Sequence, residues 1–264
     1  MIDASGLHIR FNPGTPIENH ALRGLGLSIP QGQFVTVIGS NGAGKSTFLN
    51  ILAGELIPDE GTVLIDGQDV TRWPTARRAG LCARVFQDPM AGTCEGLSIE
   101  ENLALAAARG HRRGLRAAVR NELREEFRER ISVLGLGLEN RLSDKMGLLS
   151  GGQRQAVSLV MATLNPMKIL LLDEHTAALD PKTAAFVMEL TDRIVGEKQL
   201  TTLMVTHSMR QALDHGHRTV MLHAGDVVLD VEGDARRGMK VEDLLHMFEK
   251  VRGEEVDDDS LILG

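Results

Sequence analysis

The chain has 264 residues, 42% apolar and 25% charged, with a formal net charge of −7 from 29 Lys+Arg and 36 Asp+Glu. That length suits one large α/β domain, or one domain with a smaller lobe, and the apolar share is enough for a sizeable core. The acidic balance argues against a surface given over to nucleic acid, which needs a basic face, and no apolar run approaches the roughly 18 residues of a membrane span.

The first lobe opens with β patterns. Leu7 to Phe11 alternates and is broken by Asn12-Pro13-Gly14-Thr15-Pro16, and a second strand ends near Ile29, before Pro30. The β-branched run Phe34-Val35-Thr36-Val37-Ile38 feeds into Gly39-Ser40-Asn41-Gly42-Ala43-Gly44-Lys45-Ser46. That octet fits the phosphate-cradling pattern G-x-x-x-x-G-K-S/T, and the helix expected from Ser46 to Ala53, stopped by Gly54 and Pro58, supplies the context the pattern requires. Gly39, Gly42 and Gly44 let the backbone curl until its N–H groups face phosphate oxygens, while the helix presents its positive end to the same anion. Lys45 supplies a point charge to the β- and γ-phosphates of a nucleoside triphosphate, and the Ser46 hydroxyl a ligand for Mg²⁺. The predicted nucleotide-binding stretch thus runs Gly39, Ser40, Asn41, Gly42, Ala43, Gly44, Lys45, Ser46 and Thr47.

Thr62 to Ile65 reads as a strand turned by Asp66-Gly67, and Ala83 to Phe86 as another that ends at Gln87. Cys82 and Cys94 fit no metal or redox spacing and read as reduced thiols, and the N-terminus lacks a signal core, so a cytosolic chain is expected. From Ser98 to about Leu164 the patterns turn helical, beginning with the capping box Ser98-Ile99-Glu100-Glu101. Val119, Leu123, Phe127, Ile131 and Leu134 mark one helical face, read as core rather than a partner groove. Arg109, Arg112, Arg113, Arg116, Arg120 and Arg124 make a local basic cluster, read as a solvated helix face. Leu149-Ser150-Gly151-Gly152-Gln153 opens the last helix of this insertion, where Ser150 and the backbone of Gly151 and Gly152 form a second anion cup.

The α/β pattern then resumes. Ile169 to Asp173 is a buried strand ending in two acids, of which Asp173 is placed to hold Mg²⁺ and Glu174 to act as general base on a water. Pro181 to about Val195 is a helix, Leu200 to Thr206 a strand, Met209 to about His215 a helix and Thr219 to His223 a strand. Ala224-Gly225 leads on to Asp226 to Val231, and an acidic tail follows from Gly253. Alternating strands and helices imply a mostly parallel sheet covered on both faces.

The phosphate loop, the Asp173-Glu174 strand end and Leu149-Ser150-Gly151-Gly152-Gln153 together resemble the ATP-binding cassette (ABC) proteins, whose signature is L-S-G-G-Q, and the likeness covers nearly the whole chain. It implies an α/β P-loop NTPase fold of the ABC-ATPase kind. In that fold a mostly parallel core sheet is joined by an N-terminal antiparallel β subdomain and a helical subdomain. The expected division of the single domain 1–264 is a core at about 1–95 and 165–235, helical subdomain at about 96–164, and C-terminal helix and tail at about 236–264.

The resemblance also assigns roles. Gln87 in Phe86-Gln87-Asp88 looks like the Q-loop residue that touches Mg²⁺ or water and couples the lobes, and Asp180 in Ala178-Leu179-Asp180 like the D-loop residue of a dimer seam. His207 in Val205-Thr206-His207-Ser208 looks like the switch histidine at the γ-phosphate. Phe11 falls where the family stacks an aromatic on adenine; the chain has no Tyr, and a core role for Phe11 stays open. The implied machine is an ATPase with ATP and Mg²⁺ as cofactors, acting as a head-to-tail homodimer. Its implied partners are transmembrane permease subunits and an extracytoplasmic substrate-binding protein, not nucleic acid. It would lie on the cytoplasmic face of the cell membrane, docked through the groove between its lobes. The stretch Asp173-Glu174-His175-Thr176-Ala177-Ala178-Leu179-Asp180 resembles an uptake subgroup associated with tryptophan or related compounds, with His175 standing where the family usually has Pro. The other readings are a soluble ABC ATPase of DNA repair or translation, against which stand the compact insertion and single cassette, and a non-hydrolysing cassette, against which stand Glu174 and His207.

Overall fold

The computed structural model describes residues 1–110 and 121–252. Val119, Arg112, Arg113, Arg116, Arg120 and the acidic tail fall outside the described residues. The chain begins with β1 (Ile2–Phe11) and β2 (Asn19–Ile29), an antiparallel pair, then runs through β3 (Phe34–Gly39) into α1 (Lys45–Ala53). β4 (Glu60–Ile65) returns to pair antiparallel with β1 and is edged by the short β5 (Gln68–Asp69), so that one sheet has the order β2-β1-β4-β5. A single turn, α2 (Thr75–Arg78), leads to β6 (Cys82–Val85).

The helical stretch contains α3 (Ile99–Ala107), α4 (Asn121–Ser132) and α5 (Gly151–Ala162). Ser98 caps α3 as expected: its side chain accepts from the Glu101 N–H, and Glu101 answers to the Ser98 N–H. After β7 (Ile169–Asp173) come α6 (Pro181–Lys198), β8 (Thr202–Val205), α7 (Met209–Asp214), β9 (Arg218–His223), β10 (Asp226–Glu232), α8 (Gly233–Arg236) and α9 (Val241–Arg252). The second sheet has the order β10-β9-β3-β8-β7-β6, parallel except for β10 on β9.

The central strands are apolar on both sides because both faces are covered. Val35 and Val37 of β3 and Ile169 and Leu171 of β7 enter one core with Phe48, Leu49, Ile51 and Leu52 of α1 and with β1 and β2. Leu170 and Leu172 face the other way, into a core built with α3, α4, α5 and α6 that takes Phe127, Ile131 and Leu134 from the predicted stripe. Ile38 joins a third, smaller core with Met209, Met221, Leu244 and Phe248.

Where extents differ from expectation, local geometry explains it. β1 starts at Ile2, not Leu7, because a register slip between Ala4 and Leu7, with Gly6 at φ +60°, breaks the two-residue period that a strand is read from. α6 runs on to Lys198, where Gln199 in the left-handed region closes it. The turn α2 carries no periodic signal, yet its Arg78 is fully buried and donates to the carbonyls of Ile51 and Leu52 at 2.7 and 2.8 Å and to that of Val70. A cation thereby satisfies carbonyls in the last turn of α1, where the helix dipole is negative.

Candidate active site

The parallel order places the carboxyl ends of β3, β8 and β7 side by side, and each carries chemistry. β3 ends in the glycine loop. Its glycines are imposed by contact and by conformation: a Cβ on Gly39 would lie 2.2 Å from the Leu222 carbonyl oxygen, and one on Gly44 2.7 Å from that of Ala21. Gly42 has open space but a φ of +76°, which a side chain disfavours. Lys45 is buried at the start of α1, its Nζ donating to the carbonyls of Gly39 at 2.6 Å and Ser40 at 3.0 Å.

β7 ends at Asp173, and Glu174 follows in the left-handed region at φ +46°. A non-glycine residue held there stores of the order of 1–3 kcal/mol of strain, a feature that clusters at functional sites. Two backbone bonds fix it: Glu174 N–H donates to the Val205 carbonyl, and the Ala177 N–H to the Glu174 carbonyl, both at 2.9 Å. After β8, His207 places Nε2 2.6 Å from Glu174 Oε1. Burial pushes the Glu174 carboxyl up; His207 and Lys45 pull it back, and the Asp173 charge adds to the rise. A carboxylate moved toward neutral pH is a better proton acceptor for a water.

Lys45, Glu174 and His207 line a cavity of about 200 Å³ with Phe11, Asn19, Ala21 and the loop residues Asn41 to Thr47, whereas Gly39, Ser40 and Asp173 lie outside its lining. The cradle of backbone N–H groups fits polyphosphate, and the hydroxyl of Ser46 with the carboxylate of Asp173 are the hard oxygen donors that suit Mg²⁺. Phe11 is half-buried, touching the β1–β2 core while facing this cavity. Asn19 and Ala21 were not predicted; only the β1–β2 pairing, which sets Phe11 opposite Asn19, brings them here.

The remaining predicted residues lie elsewhere. Gln87 is exposed and outside this cavity's lining, while its neighbour Phe86 lines a larger cavity of about 700 Å³ between β6 and the helices α3 and α5. Ser150 caps α5, its Oγ accepting from the Gln153 N–H at 3.3 Å while Gln153 Oε1 accepts from the Ser150 N–H at 3.1 Å. Ser150 and Gly151 are exposed. Asp180 caps α6, accepting from the Thr183 N–H at 3.1 Å, and these bonds hold its carboxyl below the usual range. The two helix starts meet: a Cβ on Gly152 would lie 2.0 Å from Thr183 Cγ2. His175 is buried, its Nε2 3.0 Å from Thr191 Oγ1 on α6.

The sequence pattern of the ABC transporter family matches residues 22–177. The chain belongs to the ABC transporter family. The cassette is 46% identical to the tyrosine transport ATP-binding protein of Clostridioides difficile over 237 residues, 90% of this chain and 92% of that one. It is 35% identical to the thiamine import ATP-binding protein ThiQ of Salmonella choleraesuis over 203 residues, 76% and 80% of the two chains. Among solved structures it resembles a dimeric post-hydrolysis ATP-binding cassette bound to ADP and Pi, with a TM-score of 0.75 at 30% identity over 90% of this chain and 100% of that one. The cassette therefore has the ABC-ATPase fold, binds ATP and is an ATPase.

Two predictions test how the cassette's motifs are held. Gly152→Ala should cost about 1–3 kcal/mol by overpacking, and adding Thr183→Ser, which removes the offending methyl, should recover it in urea unfolding. A Gly152→Ala protein as stable as its parent would show that α5 and α6 do not need this close approach. The second concerns His175, whose pKa burial lowers from 6.5 to about 4, with nearby His215 lowering it further and Asp192 opposing. The folded state resists a proton that the unfolded chain accepts. Stability from the neutral ring is therefore fully present above about pH 6.5 and lost as pH falls toward 4. The loss should amount to about 3 kcal/mol, so His175→Gln should gain on the parent by that margin on acidification.

Proposed function

We propose that the cassette is the ATP-hydrolysing subunit of an importer, working as a head-to-tail pair of identical chains around two ATP and docked on separate permease subunits. The observation that carries this is the Glu174–His207 pair, 2.6 Å apart, beside the buried Lys45 in one cavity with the phosphate loop. Lys45 offsets charge on the β- and γ-phosphates, and the loop amides orient them. Glu174 accepts the proton of the attacking water at Oε1 or Oε2, its basicity raised by burial. His207 steadies that carboxylate and faces the γ-phosphate. Ser46 and Asp173 would hold Mg²⁺, which would neutralise phosphate charge; the exposed Gln87, outside the cavity here, would join them only on moving toward it. The exposed Ser150 and Gly151, with Gly152 buried behind them and Gln153 beside it, close the partner copy's site, and Asp180 lies along the seam.

Among the described residues no helix is long and apolar enough to cross a membrane, which fits a peripheral subunit on the cytoplasmic face. The cavity of about 700 Å³ is the place for a permease segment. The thiamine import relative favours import, and the tyrosine transport relative favours an aromatic amino acid as cargo; an extracytoplasmic binding protein would deliver it.

Glu174→Gln should slow hydrolysis by about 10²–10⁴-fold while nucleotide binding persists and an ATP-bound dimer accumulates in size-exclusion chromatography; undiminished turnover would remove the general-base role. Deleting the gene should abolish saturable uptake of labelled tyrosine or tryptophan by cells, and unaltered uptake of both would exclude an aromatic cargo.

A further inference from the structure

Arg84 stands in β6 between buried apolar neighbours, Ala83 and Val85, that face the α3–α6 core. Its own side chain points to the opposite face, toward α1. Parallel pairing sets Arg84 beside Leu171, which puts Asp173 on that same face, two residues further along β7. The guanidinium uses both terminal nitrogens. Nη1 donates to Asn50 Oδ1 and Glu55 Oε2, each at 2.8 Å, and Nη2 to Asp173 Oδ2 at 2.5 Å. The Arg84 and Asp173 side chains are 12% and 16% exposed, and the Arg84 Cζ lies 4.8 Å from the centre of the Phe86 ring, next to Gln87.

A strut between α1 and β6 would need only Asn50 and Glu55. The third bond goes to the acid at the catalytic edge of the sheet, and it is the shortest of the three. It engages one carboxylate oxygen and leaves Oδ1 for other work. The charges also matter: one guanidinium faces two carboxylates, Asp173 and Glu55, so the trio keeps a net negative charge that a cation can still answer. The planar guanidinium, itself held by Asn50 and Glu55, offers Nη2 to the Asp173 oxygen from a fixed direction.

We propose that Arg84 is a positioning residue for the metal site, an outer partner that sets the Asp173 carboxylate for Mg²⁺ and ties it to the helix of the phosphate loop. This rests on the reading of Asp173 as the Mg²⁺ acid. Outer partners of metal-binding carboxylates are commonly worth 10–100-fold in metal affinity.

The test is Mn²⁺ binding, read by electron paramagnetic resonance on the full chain saturated with a non-hydrolysable ATP analogue. Arg84→Met should weaken Mn²⁺ by about tenfold or more, with analogue affinity in EDTA unchanged. Glu55→Gln, which leaves the Arg84–Asp173 bond in place, should shift the melting temperature without moving Mn²⁺ affinity. If Arg84→Met does not fold, Arg84→Lys serves: one ammonium cannot span three acceptors in the guanidinium's geometry, so Mn²⁺ binding should again weaken. Parent-like Mn²⁺ affinity in the Arg84 variant, or equal weakening in Glu55→Gln, would reduce Arg84 to a strut and overturn the proposal. Asp173→Asn separates the two readings: if it keeps Mn²⁺ affinity, the assignment of Asp173 fails, whatever Arg84 does.

Discussion

The site depends on the parallel pairing of β3, β8 and β7. Parallel neighbours must be joined by crossovers, so their carboxyl ends collect at one edge of the sheet. Strands lie about 4.8 Å apart, which brings loops that are remote in sequence within the reach of one side chain. β3 delivers the glycine loop, β7 delivers Asp173 and Glu174, and β8, between them, delivers His207. The 2.6 Å contact between His207 and Glu174 is a direct product of that order. Buried on both faces, the three strands are also the least able to shift, so the candidate site residues are mounted on a stiff part of the fold.

Much of this was legible in the sequence because the chemistry is written in contiguous runs. The loop Gly39 to Ser46, the pair Asp173-Glu174 and the capped start of α5 each carry their own local signal, and a β-branched or apolar strand precedes the first two. The kinds and order of the longer elements followed from periodicity, while the short β5, α2 and α8 left none. What did not follow depends on distance in space. Arg78 shows only as an arginine before a short apolar stretch, and nothing local says that it will cap the end of α1. Arg84 did leave a trace, a charge inside an otherwise apolar strand, but its partners lie on α1 and β7 and become visible only with the register of β6 on β7. Asn19 reaches the nucleotide cavity only through a hairpin pairing that slips at several points along β1.

Glu174 shows how local strain and long-range order combine. Its left-handed backbone would relax in a free peptide, yet bonds to Val205 on one side and Ala177 on the other hold it. The same backbone turn carries the next residue, His175, inward to Thr191 of α6, burying a neutral ring against the helix that Asp180 begins. The Glu174 carboxylate is thus braced from behind by a polar contact in the core, and in front by His207.

The signature illustrates a division of labour within five residues. Ser150 spends its oxygen lone pair on the Gln153 N–H, and Gln153 spends its carbonyl on the Ser150 N–H, so the cap is closed within the chain. The first amides of a helix have no intrahelical acceptor, and an exposed start with a hydroxyl hydrogen still to donate is suited to an anion. Gly152 keeps that start bare for a second reason: its missing Cβ lets α5 rest on Thr183, four residues after Leu179, whose side chain lies over Gly151. The glycines of the signature therefore answer to two constraints at once, an exposed outer face at Gly151 that suits an anion and a close inner contact of Gly152 with Thr183 in the first turn of α6. A change in one is mechanically bound to register in the other, so the two helix starts are held as one unit.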